Sequence, residues 1–175
     1  MKYYFVRHTS VNIPKGICYG QSDVPVSQSF LEEAEKVKQQ LSSVSLNHIY
    51  SSPLTRCKKL AQFCTDKLPI HYDNRLKEMN YGLWELQSWN SIDFTEWEKD
   101  WVYTPVPQGE SFYDEYKRLV SFIADLDERH SETDHIAIFT HGGILACAHA
   151  YFNAIPLEKA FDNKAAYGTI FTFES

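Results

Sequence analysis

The chain has no Cys-x-x-Cys pair, no Gly-x-x-x-x-Gly-Lys-Ser/Thr run and no long apolar stretch. Each absence removes a class of protein. Without the phosphate-cradling glycine loop, a P-loop nucleotidase is excluded. No segment approaches the ~20 apolar residues that a membrane-crossing helix needs. The first apolar run ends at Arg7 and His8, too early for a secretory leader, and free cysteines make a cytoplasmic location the expectation. The four cysteines, Cys18, Cys57, Cys64 and Cys147, lack metal-ligand spacing and read as free thiols; neither a metal nor a cofactor is expected. Positive charge is also short. Lys and Arg total 17 against 23 Asp and Glu, a net charge of -6, which argues against nucleic acid or an anionic membrane as partner. No repeat, low-complexity tract or long linker divides the 175 residues, so a single domain over 1–175 is expected.

Apolar residues make up 43% of the chain, enough for a full core, and their spacing predicts the elements. Residues 2–7 read as a buried strand, and 9–27, broken by Pro14, Gly16, Gly20 and Pro25, as a loop. Phe30, Leu31, Ala34, Val37 and Leu41 mark an amphipathic helix. HIYSS at 48–52 is a strand; Ser52 and Pro53 then suit an N-cap and a first helical residue. Leu54, Cys57, Ala61, Cys64 and Leu68 continue that helix, and a short strand falls at 70–72. Ser111 and Asp114 form a capping box for a helix carrying Phe112, Tyr116, Leu119, Val120, Ile123 and Leu126. A strand at 135–140, a helix at 143–152 and a strand at 168–173 complete the chain. Between them, 76–108 holds Trp84, Trp89, Trp97 and Trp101; Phe94, Trp97 and Trp101 suit one face of a short helix. This alternation predicts an α/β three-layer sandwich, a mostly parallel central sheet with helices on both faces. The segment at about 79–110 is lid-like.

In such folds the site lies beyond the carboxyl ends of the strands. Two strands end alike: YYFVRHTSV (3–11) delivers Arg7 and His8, and IAIFTHGGIL (136–145) delivers His141 before Gly142 and Gly143. Arg56, near the start of its helix, leans back toward the same edge. Glycines permit close backbone approach, and helix starts favour anions. Two arginines, two histidines and two helix starts make a pocket for a tetrahedral oxyanion, most simply phosphate.

The segments VRHTS, YSSPLTRCKKLA, KEMNYGLWE and FTHGG, in that order over nearly the whole chain, resemble the histidine phosphatase (phosphoglycerate mutase-like) superfamily, with Thr9 where that family usually has glycine. The resemblance implies that His8 is the nucleophile and Glu78 the general acid. It implies that Arg7 and Arg56 clamp phosphate oxygens and that His141 steadies the transferring group. Tyr19 and Gly20 match the substrate loop, and Tyr81 the segment after the acid. Gly142 offers backbone to the phosphate, and Asn12, offset from the family's usual asparagine, is a further candidate contact. Glu78 must hold a proton near neutral pH, which partial burial beside Trp84 and Tyr81 would favour; Glu85 is a rival carboxylate. GICYGQSDVPVSQSF (16–30) is similar to the α-ribazole phosphatase branch, which implies α-ribazole 5'-phosphate as substrate, in cobalamin assembly. An aromatic lid of Trp84, Trp89, Phe94 and Trp97 would suit its base.

Each residue also has a plainer role: a histidine after a strand is often structural, and Arg56 or Glu78 could be solvated. A small phosphate ester is the expected partner, and a homodimer is left open. The alternatives are a phosphoglycerate mutase or broad sugar phosphatase and, in another class, a non-catalytic module that binds phosphorylated ligands.

Overall fold

The structure is a computed structural model that describes residues 1–65 and 68–175. Its elements run β1 (Lys2–Arg7), α1 (Phe30–Leu41), β2 (His48–Ser51), α2 (Thr55–Cys64), β3 (Ile70–Tyr72), α3 (Phe112–Arg129), β4 (His135–Thr140), α4 (Gly142–Asn153) and β5 (Ile170–Glu174). The strands form one sheet in the order β3-β2-β4-β1-β5. Four are parallel, and β5 pairs antiparallel with β1 at the edge.

Side chains alternate across a strand, and both faces of this sheet are covered. From β1, Tyr3 and Phe5 join Ile136 and Ile138 of β4 beneath α3 and α4. Tyr4 and Val6 join Ala137 and Phe139 beneath α1 and α2. That double burial is why the strands read as near-continuous apolar runs.

Local details shift for identifiable reasons. The second helix begins at Thr55 rather than Pro53 and ends at Cys64, so Leu68 lies outside it; the expected stretch through 66 and 67 is outside the described residues. Its amino end is capped from a distance: Asp23 accepts from the Thr55 amide at 2.8 Å and the Thr55 hydroxyl at 2.6 Å. Of the amides at this helix start, Ser52 Oγ accepts from that of Leu54, at 3.3 Å. Leu31, expected on the inner face of α1, is 66% exposed. In α3 the capping box of Ser111 and Asp114 forms as expected, but the buried stripe is Phe112, Glu115, Leu119, Phe122, Ile123 and Leu126. Tyr116 and Val120 are only half-buried, and a glutamate sits where an apolar residue was expected. The short helix expected from Phe94, Trp97 and Trp101 is a single 3-10 turn, Trp97–Lys99. These rings pack around one another instead: Phe94 and Trp97 sit edge-on to the buried Trp84, at 5.2 and 5.7 Å between ring centroids.

The topology places the site. After β1 the chain crosses to the face covered by α1 and α2; after β4 it turns to the face covered by α3 and α4. β1 and β4 are neighbours in register, Arg7 opposite Thr140, so a crevice opens at their carboxyl ends.

Candidate active site

His8 and His141 are the residues that follow that last paired position, and the His8 amide donates to the Thr140 carbonyl at 3.0 Å. Their rings meet edge-to-face with centroids 5.2 Å apart, and both are buried. Residues 133 positions apart along the chain thus share one wall because two parallel strands end together.

Hydrogen bonding assigns the protons. His8 Nδ1 lies 2.7 Å from the Thr9 carbonyl oxygen, which can only accept. Nδ1 therefore carries the hydrogen, and in the neutral ring Nε2 keeps a free lone pair. Burial, then the Arg56 charge, and also Arg7, hold His8 well below the usual histidine range, against the Thr9 bond. His141 Nδ1 accepts from Arg56 Nε at 3.2 Å, so its hydrogen is on Nε2, which donates to Ser52 Oγ at 2.8 Å. Burial, then Arg56 and His8, hold His141 well below the usual range too. Both rings are neutral at physiological pH.

Arg56 is fully buried, which a charged side chain rarely is without a counter-ion. Its Nη1 donates to the Ser22 carbonyl at 2.9 Å and its Nη2 to the Gly20 carbonyl at 2.6 Å. Arg7 lies 4.4 Å over the Tyr167 ring, donates Nη1 to the Ala165 carbonyl, and leaves Nε buried without a partner. Among the described residues neither guanidinium has a carboxylate within 4.0 Å. Two cations without carboxylate partners beside two neutral imidazoles suit an anion.

Glu78 faces a cavity of about 230 Å³ whose lining includes Arg7, Tyr81, Gly142 and Gly143. Its Oε1 accepts from the Gly143 amide at 2.9 Å, so the amino end of α4 already holds this carboxyl. Asp23 likewise holds the amino end of α2, and the expectation of two open helix starts for the anion gives way to two that carry carboxyls. Glu85 is committed elsewhere: it accepts from the amides of Gln21, Ser22 and Tyr81 and from the Ser22 hydroxyl, tying the 20–22 loop to the segment after Glu78. Tyr19 bonds Tyr167 hydroxyl to hydroxyl at 2.6 Å, with its ring 5.5 Å from the Arg56 guanidinium. A second cavity of about 200 Å³, lined by Ile17, Tyr19, Gly20, Glu78, Tyr81 and Trp89, adjoins the first through Glu78 and Tyr81. Asn12 is exposed, its amide bonded to Pro25, and it lines neither cavity. The metal-like grouping of His48, His130 and Asp134 lies by the opposite, amino-terminal ends of β2 and β4.

Tyr167, Ser52, Arg118 and Glu115 were not foreseen. Arg118 donates to the carbonyls of Arg75, Lys77 and Glu78 at 2.6, 2.7 and 3.1 Å, fixing the backbone that carries Glu78. The one signal in the sequence was a glutamate at the helical spacing of a buried stripe, three residues after Phe112 and four before Leu119.

Two guanidiniums without carboxylate partners, an imidazole with an unprotonated nitrogen and a carboxyl on the cavity that Arg7 lines suit phosphoryl transfer, and the sequence profile of the histidine phosphatase superfamily (branch 1) matches residues 3–175: the chain belongs to that superfamily and is an enzyme of the phosphatase class. It is 27% identical over 178 residues to the adenosylcobalamin/alpha-ribazole phosphatase of Escherichia coli K12, covering 96% of this chain and 87% of that one. It is 30% identical over 159 residues to a protein of Escherichia fergusonii named "Probable phosphoglycerate mutase GpmB", covering 84% and 72%. The crystal structure of the alpha-ribazole phosphatase from Shigella flexneri superposes with a TM-score of 0.88 at 25% identity, over 98% of this chain and 89% of that one. No helix among the described residues is long and apolar enough to cross a membrane.

Proposed function

We propose that the chain is a metal-independent phosphomonoesterase that works through a phosphohistidine on His8. The observation that carries this reading is the His8–Thr9 bond, which commits Nδ1 and leaves Nε2 as the nucleophile. Arg7 and Arg56, without carboxylate partners, receive the phosphate oxygens and stabilise their charge as the phosphoryl group transfers. A phosphate oxygen competes with Ser52 for the Nε2 hydrogen of His141. Nε2 of His8 attacks phosphorus, the ester P–O bond breaks, and Glu78 gives its proton to the departing oxygen. Water then attacks the phosphohistidine, Glu78 takes the water's proton, and His8 is restored.

For the substrate we favour α-ribazole 5'-phosphate. The support is the aromatic cavity beside the acid, where Tyr81 and Trp89 meet edge-to-face at 5.4 Å between centroids. Of the four aromatics expected to stack on the base, Trp84 is buried in the core with Phe94 and Trp97 against it, which leaves Trp89 beside Tyr81. The segment at 79–110, which carries both, is the proposed lid. A mutase reading has the resemblance to the phosphoglycerate mutase relative behind it, but no separate geometric observation favours it. The test is hydrolysis of p-nitrophenyl phosphate with and without EDTA. Activity that survives EDTA and disappears in His8→Ala, with acid-labile phosphate labelling of the wild type only, is expected. Loss of activity with EDTA, or an active His8→Ala, refutes the reading.

A further inference from the structure

Glu115 lies on the buried stripe of α3 with no exposed surface, and among the described residues neither of its carboxyl oxygens has a hydrogen-bond partner. The nearest cation, Arg118, has nothing left to give. A guanidinium has five N–H groups. In Arg118, Nε goes to Glu110 at 2.8 Å, Nη1 to the Arg75 and Lys77 carbonyls, and Nη2 to the Glu78 carbonyl and Glu110. Glu115 is left with a 3.7 Å approach to Nη2. What it faces instead is Glu78. A Cβ built on Gly143 would lie 2.4 Å from Glu78 Oε1 and 2.5 Å from Glu115 Oε2, so the two carboxyls converge on the space that a side chain at 143 would fill.

Charging both carboxylates in such a place is costly, because Glu115 lacks water and each repels the other. Resting on the phosphatase reading above, we propose that Glu115 is a positioning residue whose carboxyl shares one proton with that of Glu78, so that the acid is loaded at neutral pH. Burial first, then the charge of Glu78, and also Glu110 push the Glu115 carboxyl well above the usual carboxylate range, against Arg118; the thiols of Cys147 and Cys18, the hydroxyl of Tyr81 and the guanidinium of Arg7 also lie about the pair. Only Glu78 lines the cavity, so it alone touches substrate. When the ester P–O bond breaks, the O–H bond of the pair breaks with it and the proton goes to the leaving oxygen. The pair is then doubly charged, a strong base that takes a proton from the water attacking phosphohistidine. One proton leaves and one returns in each turnover.

The experiment is Glu115→Gln in the full chain, assayed across pH with p-nitrophenyl phosphate and with propyl phosphate. A nitrophenolate leaves with little help from an acid; an alkoxide does not. The expected result is an alkaline limb moved at least one pH unit toward acid, and a loss on propyl phosphate at pH 7 at least tenfold larger than on the nitrophenyl ester. Equal losses on both esters with an unmoved limb overturn the proposal, since a packing role would give that pattern. If the variant does not fold, infrared spectra of the wild type decide: a protonated carboxyl stretch that persists at pH 7 is expected, and its absence overturns the shared proton. A wild type inactive on both esters, yet with that stretch, refutes the phosphatase reading and with it the catalytic role, while keeping the carboxyl pair.

Discussion

Glu115→Leu exchanges a fully buried carboxyl for an aliphatic side chain of similar volume, and its effect on stability follows from proton linkage. In the folded chain Glu115 holds its proton above the ordinary value of 4.5; in the unfolded chain it releases it there. Above pH 4.5 the folded state therefore binds more protons. The wild type has the full contribution of this group below that pH and loses it as pH rises toward the folded-state value, by about 1.4 kcal/mol per pH unit. The leucine variant has no such loss. Over two pH units the variant gains about 2.7 kcal/mol on the wild type. In a domain of this size that is roughly 5–11 °C in Tm. Thermal melts of both proteins from pH 4.5 to 7, followed by circular dichroism, measure the difference. A gap that widens with pH is expected. A constant gap, or a variant less stable throughout, would refute the claim that this carboxyl is buried with a proton. The same variant should be a poor phosphatase, so stability and activity move in opposite directions.

Inorganic phosphate should stabilise the wild type by about 2.7 kcal/mol at a hundred times its Kd, again roughly 5–11 °C, and Arg56→Met should lose that shift; an equal shift in the variant would show that phosphate binds elsewhere. Gly20→Ala should cost about 1–3 kcal/mol by overpacking, because its Cβ would meet the Met79 carbonyl at 2.1 Å and Tyr81 at 2.5 Å. It should also raise KM, since the Gly20 carbonyl holds Arg56; melts and steady-state kinetics check the two effects separately.

The strands and the four long helices were legible because burial imposes a period on the residues that form them. β1, β4 and α3 stand almost as expected for that reason. The start of α2 was not, because its cap, Asp23, comes from a loop 32 residues away. The tryptophan segment misled because aromatic rings at helical spacing can equally pack on one another without a helix, as Phe94 and Trp97 do around Trp84. Arg7, His8, Arg56 and His141 could be picked out as strand-end and helix-start residues, and Glu78 by likeness. Asn12 could be picked out only by likeness, and it stands exposed away from both cavities.

Along the chain, then, periodicity and strand endings were enough to say which side chains arrive at the carboxyl edge of the sheet, because both are properties of neighbours in sequence. Which imidazole nitrogen is free, which guanidinium lacks a counter-ion and which two carboxyls confront each other depend on hydrogen-bond partners drawn from remote segments. Thr9 happens to adjoin His8, but Gly20, Ser22 and Ser52 reach Arg56 and His141 only through folding. Glu115 gained its place opposite Glu78 in the same way: α3 and α4 pack closely where residue 143 has no side chain.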